Sequence, residues 1–440
     1  MRRPLPRIRV RSLVVLGLAT VLLLGVGGVL GLRAPAPTPA SATGEVVPRV
    51  NRLAATIDRA QEQLRRVPGD HRSWATLGLA YLEKSRITAD PSWFGKAEGA
   101  LRRSLAVRPD GNDPALAGLG ALANARHDFT GAAGYARQAL RINPYSAEAY
   151  AVLGDAETQL GRADAATDAV QRLLDLRPGL TALTRAAYDR EQRGRITEAT
   201  ALLRQALDTA LDPADVAFCR YQLGELAWNS GDLAGAEREY AAGSAADPGY
   251  LPLLQGRAKV AAAQGRLDRA LADYADLTAR SPTPGYLLEY AELLESAGRS
   301  TEATAQRTLA QAAHQLFTGN GGADDLTGVA IALARSRPAE ALTLARREWQ
   351  RRQFAEVADA LARALHANGR NAEALGYARR AEALGARDAR YAYHLGVIEL
   401  ALGDRDAARR DLGRALDINP HFSPLDAPAA VRALAELGSP

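Results

Sequence analysis

The histidine and cysteine residues are the first candidates for chemistry in this chain of 440 residues, because imidazole and thiolate groups serve as bases, nucleophiles and metal ligands. The six histidines are scattered, and His366, on one helical face with Asp359, is interpreted as half of a surface pair. Cys219 is the single cysteine, which excludes an internal disulfide, and we interpret it as a buried structural thiol. The sequence contains no HExxH, CxxC, GxSxG, Walker-type or GxGxxG motif. We therefore predict a protein that is not an enzyme and has no cofactor, metal site or small-molecule substrate.

The elements that would position any functional side chain are clearest in residues 147–180. We interpret this segment as a helix, a turn and a second helix, because its apolar residues follow a helical period, a glycine ends the first helix and a proline closes the unit. The residues at these positions are Tyr150, Leu153, Gly154, Gly161, Ala166, Val170, Leu173 and Pro178. The same register recurs clearly in four other segments, which are 113–146, 217–250, 251–284 and 389–422. About ten copies fit into the chain.

This pattern resembles the tetratricopeptide repeat, whose signature includes a Leu-Gly pair, a turn glycine, small alanines and a closing proline. The resemblance implies an all-α fold, an α-α superhelix of about ten helical hairpins. In this family the first helices of successive repeats line a concave groove that commonly holds peptides or helices of partner proteins. The resemblance therefore implies a protein-binding scaffold.

An aromatic and polar group on the first helices is the densest candidate for the groove. It consists of Tyr188, Tyr221, Glu225, Trp228 and Asn229, a mixture that favours an interface hot spot. The alternative is that Tyr221 or Trp228 simply packs between repeats. Other residues of the first helices that point away from the packing stripe are Asn124, Asp155, Lys259, Glu292, Arg363, His366 and Tyr393.

One subclass of the family grips the C-terminal carboxylate of chaperones with Asn and Lys or Arg at fixed groove positions. In this chain those positions hold Ala75, Ala117, Ala151 and Asp155. The resemblance therefore does not extend to that carboxylate clamp.

The first 48 residues are predicted to be an anchor and a spacer. Residues 12–32 are uncharged and apolar, which as a helix would span about 30 Å, the thickness of a bilayer core. Five arginines precede this stretch, so the positive-inside rule places the N-terminus in the cytoplasm and the repeats outside it. A cleaved secretory signal with a site at 40–42 is the alternative, and the protein would then be secreted. The proline-rich segment 34–48 is predicted to be an extended linker.

The charge distribution argues against a nucleic-acid partner. Six of the 55 Lys and Arg residues lie before residue 34, where there is no Asp or Glu. The rest of the chain therefore holds 49 basic and 50 acidic residues, a net charge of −1. A balanced array is a poor polyanion binder. The 52 arginines against three lysines suggest a GC-rich bacterial genome.

Two irregular places divide the predicted array. The first repeat carries surplus residues, 86–94, interpreted as an enlarged turn, and a glycine-rich joint follows Phe317. The predicted domains are a cytoplasmic stub and membrane helix (1–33), the linker (34–48), an N-terminal capping helix (49–70), a first sub-array (71–320), a second sub-array (321–422) and a C-terminal capping helix and tail (423–440).

The sequence is thus interpreted as a membrane-anchored, extracytoplasmic scaffold that binds proteins or peptides in its concave groove. The first alternative is an accessory subunit of an enzyme or of a secretion or maturation complex. The second is an enzyme that holds a polymer such as a glycan in the groove, which would require a carboxylate or histidine pair that meets in space.

Overall fold

The computed structural model describes residues 49–438, which are helical with short connections and contain no strand. The predicted membrane helix at 12–32 and the linker at 34–48 lie outside the described residues. The helices are α1 Arg49–Arg66, α2 His71–Thr88, α3 Trp93–Val107, α4 Asp113–Ala125, α5 Phe129–Ile142, α6 Ala147–Gln159, α7 Ala163–Leu176, α8 Leu180–Gln192, α9 Ile196–Asp208, α10 Pro213–Asn229, α11 Leu233–Ala246, α12 Leu251–Ala263, α13 Leu267–Arg280, α14 Pro284–Ser296, α15 Ser300–Gly319, α16 Asp325–Ala334, α17 Pro338–Arg351, α18 Ala355–Ala367, α19 Asn371–Ala381, α20 Ala389–Ala401, α21 Arg405–Ile418 and α22 Asp426–Leu437.

The helices form a solenoid of ten hairpins, α2–α3 to α20–α21, between the single helices α1 and α22. The two helices of each hairpin pack on each other, and each hairpin packs on the next. The first helices of neighbouring hairpins also touch each other in most pairs, as α4 touches α6 and α18 touches α20. The first helices therefore form the inner layer of the superhelix.

Small residues in the first helices make room for large ones in the second. Tyr240 of α11 is fully buried, and its ring lies between Gly224 of α10 and Gly256 of α12. A Cβ atom on Gly256 would lie 2.5 Å from the ring. Gly396 of α20 accommodates Leu412 of α21 in the same way. These close approaches explain why Gly recurs at one position of the first helix.

The turn inside each hairpin depends on a left-handed residue, which is usually glycine. Gly161 has φ +75° and Gly265 has φ +74°, a region that residues with a Cβ atom enter only with strain. Short side chains then cap the next helix, as where the Asp232 carboxylate accepts a hydrogen bond from Gly235 N at 2.8 Å.

The prediction of an enlarged turn at residues 86–94 of the first hairpin is wrong. These residues extend the helices instead of enlarging the turn, since α2 continues to Thr88 and α3 begins at Trp93. The Trp93 ring stacks on Tyr81 with 5.6 Å between centroids, and the amines of Lys84 and Lys96 each lie 4.1 Å from its centre. Packing around Trp93 therefore holds these residues in helices.

The glycine-rich segment after α15 is anchored to an earlier part of the chain. Phe317 is buried and its ring centre lies 5.3 Å from that of His127. Ala323 N donates a hydrogen bond of 2.9 Å to Arg126 O. The segment thus lies against the turn between α4 and α5. The division into two sub-arrays at this point stays a prediction.

The superhelix returns on itself, so that residues almost 200 positions apart meet. We call this contact between its two turns the seam. Its contacts join Arg126 to Ala323, Gln159 to Arg352, Gly161 to Gln353, Gly194 to Gly385, Trp228 to Asn419 and Gly231 to Ile418. The seam therefore brings the two turns of the superhelix into contact at individual residues.

Candidate partner-binding surface

The five residues predicted for the groove have unequal exposure. Tyr221 is 3% exposed and Trp228 is 7% exposed, so both pack between repeats and offer little surface to a partner. Tyr188 and Glu225 are partly exposed, and Asn229 is exposed. Their role in binding stays a prediction.

Glu225 is held by two neighbouring repeats. Lys259 Nζ lies 2.7 and 2.8 Å from its two carboxylate oxygens, and the Tyr240 hydroxyl donates to it at 2.5 Å. Lys259 Nζ also lies 5.4 Å from the centre of the Trp228 ring. Because the carboxylate is paired with an ammonium group on the inner layer, Glu225 positions Lys259 there.

A chain of hydrogen bonds continues along the inner layer from α10 to α14. The Tyr221 hydroxyl donates to Gln255 Oε1 at 3.1 Å, and Gln255 Nε2 donates to Glu289 at 2.7 and 2.8 Å. The Tyr274 hydroxyl also donates to Glu289, at 3.0 Å. Burial raises the pKa of Tyr221 and of Tyr274, so both stay neutral donors. This network fixes the relative positions of three first helices.

The seam adds a set of charged residues that sequence analysis missed. They are Glu191, Glu356, Asp388, Arg390 and the neighbouring Tyr391. The local sequence pattern does not distinguish these residues from other polar residues. They meet because α18 and α20 return beside α8 and α14.

Glu191 is a strongly perturbed carboxylate of this set. Burial raises its pKa, the neighbouring charges of Glu225 and Asp388 raise it further, and a hydrogen bond from Asn229 lowers it, with a result of about 7. The Asn229 amide lies 3.4 Å from the Glu191 carboxylate. Asp388 precedes α20, almost 200 residues after Glu191. The charge of Asp388, on the returning turn, therefore makes a small contribution to the raised pKa of Glu191.

A second charged group lies between α14 and α20. Burial raises the pKa of Glu292, against the guanidinium of Arg390, which lowers it. The Ser423 hydroxyl donates a hydrogen bond to the Glu292 carboxylate. Sequence analysis placed Glu292 on the groove side of its helix, but nothing local indicated Arg390 or Ser423 as its neighbours.

Glu356 and Arg390 are exposed to solvent and lie on the first helices α18 and α20. Reduced access to bulk water raises the pKa of Glu356, and the charge of Arg352 opposes this shift. The inner layer therefore presents charged groups to solvent.

Two other predicted groove residues serve internal packing. Asp155 is 4% exposed, and its carboxylate makes a bidentate pair with Arg185 at 2.7 and 2.8 Å. Asn124 is buried and donates to Val152 O at 3.1 Å. Both side chains hold neighbouring first helices together.

The prediction that His366 and Asp359 form a surface pair is wrong. Asp359 is buried, and it contacts His394 of the next repeat, with 2.7 Å between Nδ1 and the carboxylate oxygen. His366 instead lies 2.7 Å from Asn371. Residues three or four apart meet readily on a helix, whereas a separation of seven leaves two turns between the side chains.

The remaining candidates for chemistry are Cys219 and possible metal ligands. Cys219 is fully buried, and burial raises its pKa to about 12, which removes the thiolate needed for reactivity. Within residues 49–438, no group of three His, Cys, Asp or Glu side chains is arranged to hold a metal ion. In the same part of the chain, no helix combines the length and apolar character needed to cross a membrane.

A family model for the tetratricopeptide repeat matches three segments of the chain, 117–181, 256–315 and 359–427. None of the curated protein sequences matches the chain. Among solved structures, an IFIT1 monomeric mutant with Gppp-AAAA is 16% identical, with a TM-score of 0.47 over 76% of this chain and 78% of its own.

Two further solved structures are also similar. PilW, a widely conserved type IV pilus biogenesis factor, is 19% identical, with a TM-score of 0.39 over 46% of this chain and 92% of its own. A tetratricopeptide repeat protein from Parabacteroides merdae is 17% identical, with a TM-score of 0.35 over 59% of this chain and 99% of its own. The three matched segments lie in register with the helical hairpins, and these parts of the chain are therefore tetratricopeptide repeats.

Proposed function

We propose that this protein is a non-enzymatic scaffold that holds a segment of a partner protein on the inner surface of its superhelix. The observation that carries the proposal is the set of charged and aromatic side chains that the first helices present to solvent, partly exposed at Tyr188 and Lys259 and exposed at Glu356 and Arg390. Such side chains offer both hydrogen bonds and aromatic contact area to a peptide.

The inner surface favours a partner segment that carries Lys or Arg. Its carboxylates include Glu191, Glu292, Glu356 and Asp388, and burial raises the pKa of each. A Lys or Arg side chain placed beside these carboxylates would stabilise their charged forms.

We further propose that the scaffold is anchored in the cell membrane by residues 12–32, with the repeats on the extracytoplasmic side. The support is the uncharged stretch of bilayer length and the arginines before it. The linker at 34–48 then separates the solenoid from the membrane surface.

Site-specific photo-crosslinking in the native cell tests the binding surface. A photoreactive amino acid at Glu356 places the probe on the inner surface, whereas one at Arg204, which is exposed on the second helix α9, places it on the outer layer. We expect a discrete protein adduct from position 356 that position 204 does not give. The same adducts from both positions, or none from position 356, would contradict the proposal.

A further inference from the structure

A cleft of about 690 Å³ lies across the seam. One wall comes from the first superhelical turn and carries Arg162 and Arg193. The other comes from the second turn and carries Trp349, Arg352 and Arg380. Its volume falls within the range of small-molecule sites, about 300–1,000 Å³.

The cleft is strongly basic. Five of its lining residues are arginines, the four named above and Arg351, and the only acidic one is Asp189. The Asp189 side chain is only 10% exposed, and its carboxylate lies 2.6 Å from Arg190 and 3.5 Å from Arg193. Arg193 also lies 3.3 Å from the exposed carboxylate of Asp164. Arginine thus dominates the charge of both walls.

One carboxylate beside the first wall is shared by two guanidinium groups. Arg162 lies 3.2 Å from the carboxylate of Glu157, which is buried and shared with Arg137. One negative charge therefore serves two guanidinium groups. The Arg162 side chain is 53% exposed, so it can turn toward a ligand.

The second wall repeats this imbalance. Two carboxylates beside it, those of Asp325 and Glu348, are shared by Arg351 and Arg352 of the cleft and by Arg347, which does not line the cleft. Three positive charges therefore face two negative ones.

Arg380 is the clearest candidate for ligand contact. Among the described residues, no carboxylate oxygen lies within 4.0 Å of its guanidinium group. Instead the guanidinium carbon lies 5.7 Å from the ring centres of both Trp349 and Tyr377. The two rings hold an exposed guanidinium at the cleft while its hydrogen-bond donors remain available.

We propose that the seam cleft binds a small anion with at least two phosphate or carboxylate groups. Arg162 and Arg193 of the first turn hold one group and Arg380 of the second holds the other, because guanidinium forks match the oxygens of both kinds of group. The ligand is bound but not transformed. It bridges the two superhelical turns, so its binding stabilises the seam.

Calorimetric titration of the full-length protein tests this site, with inorganic pyrophosphate and citrate as separate probes at low ionic strength. We expect saturable binding that Arg380→Ala weakens about tenfold or more, because a charge-assisted bidentate contact is lost. The matched control is Arg379→Ala. Its side chain is 62% exposed and does not line the cleft, and we expect it to change affinity less than about twofold.

The pattern of binding identifies the ligand chemistry. Binding of pyrophosphate alone supports a phosphate ligand, binding of citrate alone supports a polycarboxylate, and binding of both supports recognition of either group. Absence of saturable binding by both probes would overturn the proposal, as would equal weakening by the two alanine variants.

A second readout covers the case in which Arg380→Ala perturbs folding. Arg162→Ala, on the opposite wall, is expected to weaken binding as well, and the bound probe should raise the Tm of the wild type more than that of either cleft variant. An equal rise in all three proteins would contradict the site.

Discussion

The same three residues, Ile-Asn-Pro, end the second helix of two hairpins at 142–144 and 418–420. In both copies the Asn side chain accepts a backbone hydrogen bond from the residue two positions on, at 3.1 Å for Asn143 and 2.8 Å for Asn419. The side-chain amide nitrogens of the two Asn residues donate to different acceptors. Asn143 donates to Asp113 at 3.0 Å within its own hairpin, whereas Asn419 donates to Trp228 O across the seam at 2.8 Å.

This comparison separates two kinds of contact. Contacts inside and between adjacent hairpins recur with the repeat and involve alanine, glycine and leucine. Contacts across the seam occur once each and are mainly polar, as between Arg352 and Gln159. The solenoid is therefore built from regular apolar interfaces, and its closure depends on individual side chains and backbone groups.

The largest expected effect comes from the turn glycines. Gly161 and Gly265 have nearly equal φ values, +75° and +74°, so alanine at either costs about 1–2 kcal/mol of backbone strain. A Cβ atom at Gly161 would also clash with Gln353 O, whereas one at Gly265 would meet nothing within 4 Å. We expect Gly161→Ala to lower the free energy of unfolding by a further ~1–3 kcal/mol.

Denaturant unfolding followed by circular dichroism measures this difference, and small-angle scattering measures the radius of gyration. An expanded Gly161→Ala protein beside an unchanged Gly265→Ala protein would locate the loss at the seam. Equal destabilisation of the two variants would show that the seam contributes nothing at this point.

The two Asn residues provide a smaller, closely matched test. Asn419→Ala removes a buried hydrogen bond to Trp228 O, and we expect a loss of about 1 kcal/mol. Trp228 O keeps a second partner, Gly231 N, which limits the cost. Asn143→Ala removes a less buried hydrogen bond and is expected to cost less.

Hydrogen exchange separates these two effects by position. Asn419→Ala should speed exchange at the end of α10, in the first turn of the superhelix, and Asn143→Ala should leave α10 unchanged. Equal exchange at α10 in both variants would mean that the hydrogen bond across the seam does not hold the turns together.

A third test is a pH dependence of stability that originates at Glu191. Its pKa rises from 4.5 to about 7 on folding, so the folded state binds more protons than the unfolded state between these values. Folding stability therefore falls as pH rises through this window. Glu191→Gln mimics the protonated form, and its Tm relative to the wild type should increase from about pH 5 to about pH 8.

Asp388→Asn sharpens this test, because Asp388 lies on the returning turn and raises the pKa of Glu191. The variant should move the pH-dependent loss of stability to lower pH. A Tm difference between Glu191→Gln and the wild type that does not vary with pH would contradict the raised pKa.

Part of the candidate surface followed from local pattern. Lys259 and Glu292 were assigned to the inner side from helical position alone, because residues at fixed intervals share a helical face. Tyr221 and Trp228 lie on the same layer, but the large ring of Tyr240 and the return of Asn419 enclose them. Sequence position indicates a face, and only packing against other elements determines exposure.

The sequence by itself determined the all-helical repeats, the turn at Gly161 and the negative result for common catalytic motifs. These features depend on residues within one or two repeats. The tertiary structure alone decided the seam, the environment of Glu191 and the cleft beside Arg380. The physical reason is that closure results from small rotations added over many hairpins, so its partners lie almost 200 residues apart and no local period encodes them.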